Sequence, residues 1–303
     1  MISSLCYLIF SLLLFTVTGL STDNARELGF ESPDHLLGMV LLMCLLPTWL
    51  IACMFVTQRN SYKLARALDP DLASRVAAVP SKYLWIGVLG GFIYAIAFNV
   101  PMTHFGLVLD GNGQMIGIFI GQALVWIFVG WMLAVRLYVG NQFHNFGKYV
   151  AIKTFEQSGL ESFARVGLLD VAIIVGCLAI SAVQSIDAQF RLENYLTAFI
   201  VAIPATLALL IRPMWSVHVR LLQRKRELLA EVTMQIQQAP ESTDLESIVA
   251  LELLLERRDR VKALNTWPLD FSIWSRLLFY GLIPPLAWIA AALVEVLVER
   301  ALT

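Results

Sequence analysis

Apolar stretches of about 20 residues alternate with short polar connections along this chain, about seven times over. They fall at about 2–20, 35–57, 84–105, 114–138, 167–185, 195–213 and 276–298, each long enough for a helix to cross a hydrocarbon core of roughly 30 Å. In lipid only a helix or a closed barrel satisfies its own backbone polar groups. A barrel needs alternating segments of about ten residues, and the chain has none. The pattern predicts an all-α, polytopic helical membrane protein.

Lysine and arginine set the orientation. The connection at 58–83 carries Arg59, Lys63, Arg66, Arg75 and Lys82, and that at 139–166 carries Lys148, Lys153 and Arg165. The connections at 21–34, 106–113 and 186–194 hold only Arg26 and Arg191. The basic linkers are therefore expected in the cytoplasm, with the N-terminus inside and the first six spans folded as three hairpins. Both linkers read N-x-x-K followed by an acidic residue and Arg-Val: Asn60, Lys63, Arg75 and Val76 against Asn145, Lys148, Arg165 and Val166. Each suits a short amphipathic helix on the inner leaflet.

Beyond the transmembrane bundle (1–213) the pattern changes. "PMWSVHVRLLQRKRELLAEVTMQIQQ" places Val219, Leu222, Leu229, Val232 and Ile236 at helical spacing among charges. "APESTD" interrupts it, and Thr243 with Glu246 fits a capping box. The next helix puts Ile248, Leu251, Leu255 and Val261 on one side. The segment 214–266 is thus predicted as a cytoplasmic antiparallel helical hairpin between the last two spans, with opposite charges facing across it. Arg224, Lys225, Arg226, Arg257 and Arg258 are its candidate docking residues for a soluble partner.

The stretch 267–303 begins with Trp267, Pro268, Trp274 and Arg276, which fits an interfacial hinge. It continues as a last span that ends periplasmically, kinked at Pro284 and Pro285. A helix lying flat on the surface is the rival reading, since Glu295 and Glu299 sit badly in lipid. At the other end, "MISSLCYLIFSLLLFTVTGLS" lacks a basic n-region and reads as a retained span rather than a signal peptide.

Composition agrees with a membrane chain. Apolar residues make up 58%, charged residues 15%, and mean hydropathy is +0.71. A net charge of −1 gives no basic patch for nucleic acid. Cys6, Cys44, Cys53 and Cys177 form no CxxC or Cys/His cluster and read as buried apolar filler, so neither metal nor other cofactor is implied.

Catalytic motifs are missing: no HExxH, GxSxG or Walker loop occurs. Polar residues inside spans are the better leads. Asn99, His104, Gln122 and Glu295 are the candidates for a pore or polar path. Arg136, Asp170 and Gln184 lie near span ends, where headgroups or water are the simpler expectation, and Asn141, Gln142, His144 and Asn145 form a polar helix end. Gly117 with Gly121, and Gly87 with Gly91, allow close helix packing within or between subunits. Pro47, Pro204 and Pro284 interrupt three spans.

These features point to a homo-oligomeric channel or pore-type effector of the bacterial inner membrane, gated through its cytoplasmic stalk. Small membrane proteins of this build can breach an inner membrane in response to infection. The alternative is a membrane anchor that recruits a soluble partner through the stalk. A secondary transporter would need more polar groups at mid-membrane, and an enzyme would need a catalytic constellation.

Overall fold

The computed structural model describes residues 2–28, 30–99, 111–150, 160–185, 192–239 and 245–267, together with Ser275 and Phe279. The fold is all-helical among these residues: α1 (Ile2–Val17), α2 (Pro33–Leu68), α3 (Pro70–Ala77), α4 (Ser81–Tyr94), α5 (Gly113–Gly147), α6 (Glu161–Ser181), α7 (Leu192–Gln237) and α8 (Leu245–Ala263). A π-turn, Ala95–Asn99, extends α4.

Local chemistry sets several of the boundaries. Ser32 caps α2 by accepting from the His35 N–H, and Pro33 follows at the first turn, where no donor is needed. Asp69 closes α2 and opens α3, its Oδ1 accepting from the N–H groups of Asp71 and Leu72. Asn112 starts α5 the same way, through Gln114 and Met115. Pro47 lies inside α2 and cannot donate to the Met43 carbonyl four residues back; the Tyr7 hydroxyl of α1 donates to that carbonyl instead, at 3.2 Å.

Among the described residues, four helical segments are long and apolar enough to cross a membrane: Pro33–Leu68, Gly113–Gly147, Glu161–Gln184 and Ala198–Gln237. The pair Pro70–Ala77 and Ser81–Ala97, bent by 44°, makes a fifth if it counts as one broken span. The sequence pattern suggests about seven. The first of those is α1, whose 16 residues rise about 24 Å, short of a full crossing on their own. Its buried residues, Ser4, Tyr7, Ser11 and Phe15, form one stripe, while Leu5, Ile9, Leu12 and Leu13 point outward. The last predicted span, 276–298, lies outside the described residues apart from Phe279.

The long helices overshoot a bilayer. At 1.5 Å per residue the 36 residues of α2 rise about 54 Å, the 35 of α5 about 52 Å and the 46 of α7 about 69 Å. The excess lies at the end that carries the basic linkers, and it builds a second core there. The first core joins Phe15, Leu36, Met43, Leu50, Ile118, Val125, Met132 and Ile173. The second joins Ala65, Leu72, Val76, Val139, Phe143, Phe163, Met214 and Val217. Helix α5 takes part in both and packs against α1, α2, α3, α4, α6 and α7.

This arrangement changes the reading of the linkers. Residues 58–68 are not a separate surface helix; they continue α2. Helix α3 turns Leu72, Ala73 and Val76 onto α2 and α5 rather than onto lipid headgroups. Residues 139–147 continue α5, and 161–166 begin α6. Protein, not lipid, covers their apolar sides.

Candidate functional site

The seam between the two cores is where charge enters the bundle. On α5, Met132 and Val135 belong to the first core, Tyr138 and Val139 to the second, and Arg136 stands between them. On α6, Asp170 stands between Leu168 and Ile173; on α2, Gln58 and Ser61 stand between Met54 and Ala65. All four polar side chains turn inward at one level. Arg136 Nε donates to Asp170 Oδ1 at 2.5 Å, and both residues are 0% exposed. Its two terminal nitrogens donate to Gln58 Oε1 at 3.3 Å and to Ser61 Oγ at 2.8 Å. Gln58 in turn donates from Nε2 to the Val76 carbonyl at 2.7 Å, which ties α3 into the network.

Arg136 and Asp170 therefore correct the expectation that span-end charges meet headgroups or water. They face each other because each would otherwise be a lone buried ion, at a cost of several kcal/mol. The pairing joins α2, α5 and α6 at one point. Asp170 Oδ2 is buried and makes no hydrogen bond to a described residue. Among the described residues that oxygen is the network's one acceptor without a donor. Such a cluster can clamp helices in one arrangement, or take up a proton or a water when that arrangement loosens. It holds no nucleophile beside a base, and the described residues contain no group of three metal-ligating side chains.

One sequence signal could have revealed the pair: two opposite charges in otherwise apolar spans, both at the basic end, match in depth and sign. Gln184 is also buried rather than wet, with its backbone close against Gly38 of α2.

The polar-path candidates are not brought together. Gln122 is half-buried on α5, away from the seam. Asn99 falls in the π-turn after α4, with its side chain outside the described residues, and His104 and Glu295 lie outside them altogether. The small-residue pairs have clear partners within the chain. A Cβ on Gly87 would meet the carbonyl oxygen of Gly130, and one on Gly91 that of Trp126, so α4 and α5 touch backbone to backbone. Gly117 faces Thr18, and Gly121 faces Met43 and Phe15.

Helix α8 packs on α7 mostly near its C-terminal end. Lys225 Nζ donates to the carbonyls of Lys262 and Leu264, at 2.6 and 2.8 Å, and His218 Nδ1 lies 3.1 Å from the Thr266 carbonyl oxygen. Lys225 is thus a structural tie, not a free docking residue. Trp267 stacks on His218 with ring centres 4.0 Å apart, which anchors the start of the expected hinge; Pro268, Trp274 and Arg276 lie outside the described residues. Burial along α8 fades from Val261 (buried) through Leu255 to Ile248 (53% exposed). The buried stripe on α7 is Val217, Leu221, Leu228 and Val232; it shares Val232 with the expected one and is otherwise shifted from it, and Val219 is exposed.

Ion pairs among the described stalk residues run within one helix: Arg224 with Glu227, Arg258 with Asp259, Arg260 with Glu256 and Lys262 with Asp259. None of these crosses between α7 and α8, contrary to the expected facing charges. Arg226 and Arg257 are exposed. All four cysteines are free; Cys44 is buried and Cys53 and Cys177 half-buried, but Cys6 is exposed on the outward side of α1 instead of filling a core. No family model, curated protein or solved structure matches this chain.

Proposed function

We infer that the protein is a multi-pass membrane effector of channel type, assembled from several copies in a bacterial inner membrane and gated through a stalk made of α7 and α8. The basic end faces the cytoplasm in this reading, because Arg59, Lys63, Arg66, Arg75 and Lys82 gather there. The segment 276–298 crosses as the final span and leaves the C-terminus on the far side.

One observation carries the proposal. Helix α7 is continuous from Leu192 to Gln237, and within the bundle it packs against both α5 and α6, the helices that carry Arg136 and Asp170. A displacement of the stalk reaches the helices of the buried ion pair along this one continuous helix, which carries Pro204 and Pro213 inside it. Intramembrane charges are costly and are kept where ions or conformational switches need them.

The test is conductance across a planar bilayer containing purified protein. The expected result is low basal conductance for the natural chain and a raised one for Asp170→Asn, which weakens the clamp while keeping its shape. A chain that is monomeric in detergent and silent in both forms overturns the channel reading.

A second reading, an anchor that recruits a soluble protein, draws on the exposed apolar side chains Met234, Ile248, Val249 and Leu253 toward the stalk tip. Replacing Ile248 and Leu253 by Asp abolishes recruitment and leaves conductance unchanged if the anchor reading holds.

A further inference from the structure

On the outer side of the bundle, α4, α5 and α7 enclose a groove of about 1020 Å³. We propose that it holds one acyl chain of an anionic phospholipid from the leaflet at the basic end, with the lipid phosphate on Arg212.

The groove has the polarity of such a molecule. Its long part is lined by Ile86, Gly90, Val129, Leu133, Val201 and Leu207. One end instead gathers Tyr83, Tyr138, Asn141, Arg212 and Trp215, the residue types that sit at a membrane–water boundary. Arg212 donates to Asn141 Oδ1 at 2.9 Å. That partner is a neutral amide, and among the described residues no carboxylate pairs with the guanidinium, so its charge is oriented but not cancelled there, which suits a phosphate oxygen. Asn141 belongs to the polar helix end singled out in the sequence, and its work is to hold this arginine.

The length fits one leaflet. From Tyr83 to Tyr94 on α4 is 11 steps, which rise about 16 Å. Half of a hydrocarbon core of roughly 30 Å is about 15 Å. A chain whose headgroup lies at Arg212 therefore reaches Tyr94 and Trp126 near the bilayer midplane.

Access is lateral. Trp85, Ile86, Leu89 and Ile93 on α4 are more than half exposed, so the groove opens where lipid tails lie rather than toward water. At Gly90 a Cβ would meet nothing within 4 Å, in contrast to Gly87 and Gly91 beside it. Those two hold α4 on α5, while Gly90 leaves the groove floor unfilled.

The experiment is native mass spectrometry of the full chain released from nanodiscs of equal phosphatidylglycerol and phosphatidylcholine. One phosphatidylglycerol per chain is expected, retained about fivefold over phosphatidylcholine, the preference that one arginine near an anionic headgroup supplies. Arg212→Gln should remove the preference, and Gly90→Trp should remove retention of either lipid. Gly90→Leu, a milder plug, should reduce retention, and unfolding midpoints in detergent check that each variant is folded. Equal retention of the two lipids by the natural chain overturns the proposal, as does a folded Gly90→Trp that keeps its lipid. So does a lipid-free dimer, or a cross-link from a cysteine at position 90 to the segment 276–298, because either puts protein in the groove.

Discussion

The two cores share α2, α5, α6 and α7 yet differ in the balance of their contacts. In the first, alongside aromatic pairs such as Tyr7 with Phe128, backbones come close at Gly87, Gly91 and Gly130 between α4 and α5 and at Gly38 against Val183, and the Tyr7 hydroxyl meets the carbonyl that Pro47 leaves free. Lipid tails are as apolar as leucine, so expulsion from solvent gives little there, and close packing and hydrogen bonds must serve. In the second, large rings and aliphatics gather as in a water-soluble domain; Phe143 meets Phe163 edge-on at 5.8 Å, and Phe146 stacks on Phe163 at 6.4 Å. Along α5 that balance shifts across Arg136, from Gly130 against α4 on one side to Phe143 against α6 on the other.

The largest test falls on the seam itself. Arg136→Met leaves Asp170 buried and alone, and the prediction is a loss of about 3–5 kcal/mol in unfolding stability in detergent. Arg136→Met combined with Asp170→Leu removes both charges and should recover most of that loss. A double variant no better than the single would mean that the pair is not the unit that joins the cores.

Next comes the first core. Gly130→Ala pushes a methyl into the backbone of Gly87 and Gly91, and the expected cost is about 1–3 kcal/mol. An unchanged melting midpoint would show that α4 can drift outward freely, and close packing would lose its claim as the holding force. Tyr7→Phe is smaller, about 1 kcal/mol, the worth of one hydrogen bond to an otherwise unmet carbonyl. The same substitution beside an α2 carrying Pro47→Ala should have almost no effect, since the helix then satisfies Met43 itself. Least of all, Arg224→Gln breaks only an exposed pair with Glu227 and should shift stability by about 0–1 kcal/mol.

Much of this fold was legible before any coordinates. Apolar run length marked the helices of the bundle, and the basic linkers all fell at one end. The break before Leu245 was visible in "APESTD". The onset of charge does not mark where these helices end. "QRNSYKLARAL" has good helix formers and no proline, so α2 simply continues through it, and its apolar side then needs a protein partner. The seam escaped for another reason. Arg136, Asp170, Gln58 and Ser61 come from three helices, and no local pattern records that they share a level; only the matching of opposite charges between spans hints at it.

The pairing at the seam also bears on how the chain is made. Arg136 leaves the ribosome 34 residues ahead of Asp170. Until α6 follows, the Arg136 guanidinium has the neutral Gln58 and Ser61 of α2 to meet but not the counter-charge of Asp170. Arrival of the aspartate supplies that charge, so the join between α5 and α6 is completed only when the second of the two helices is in place.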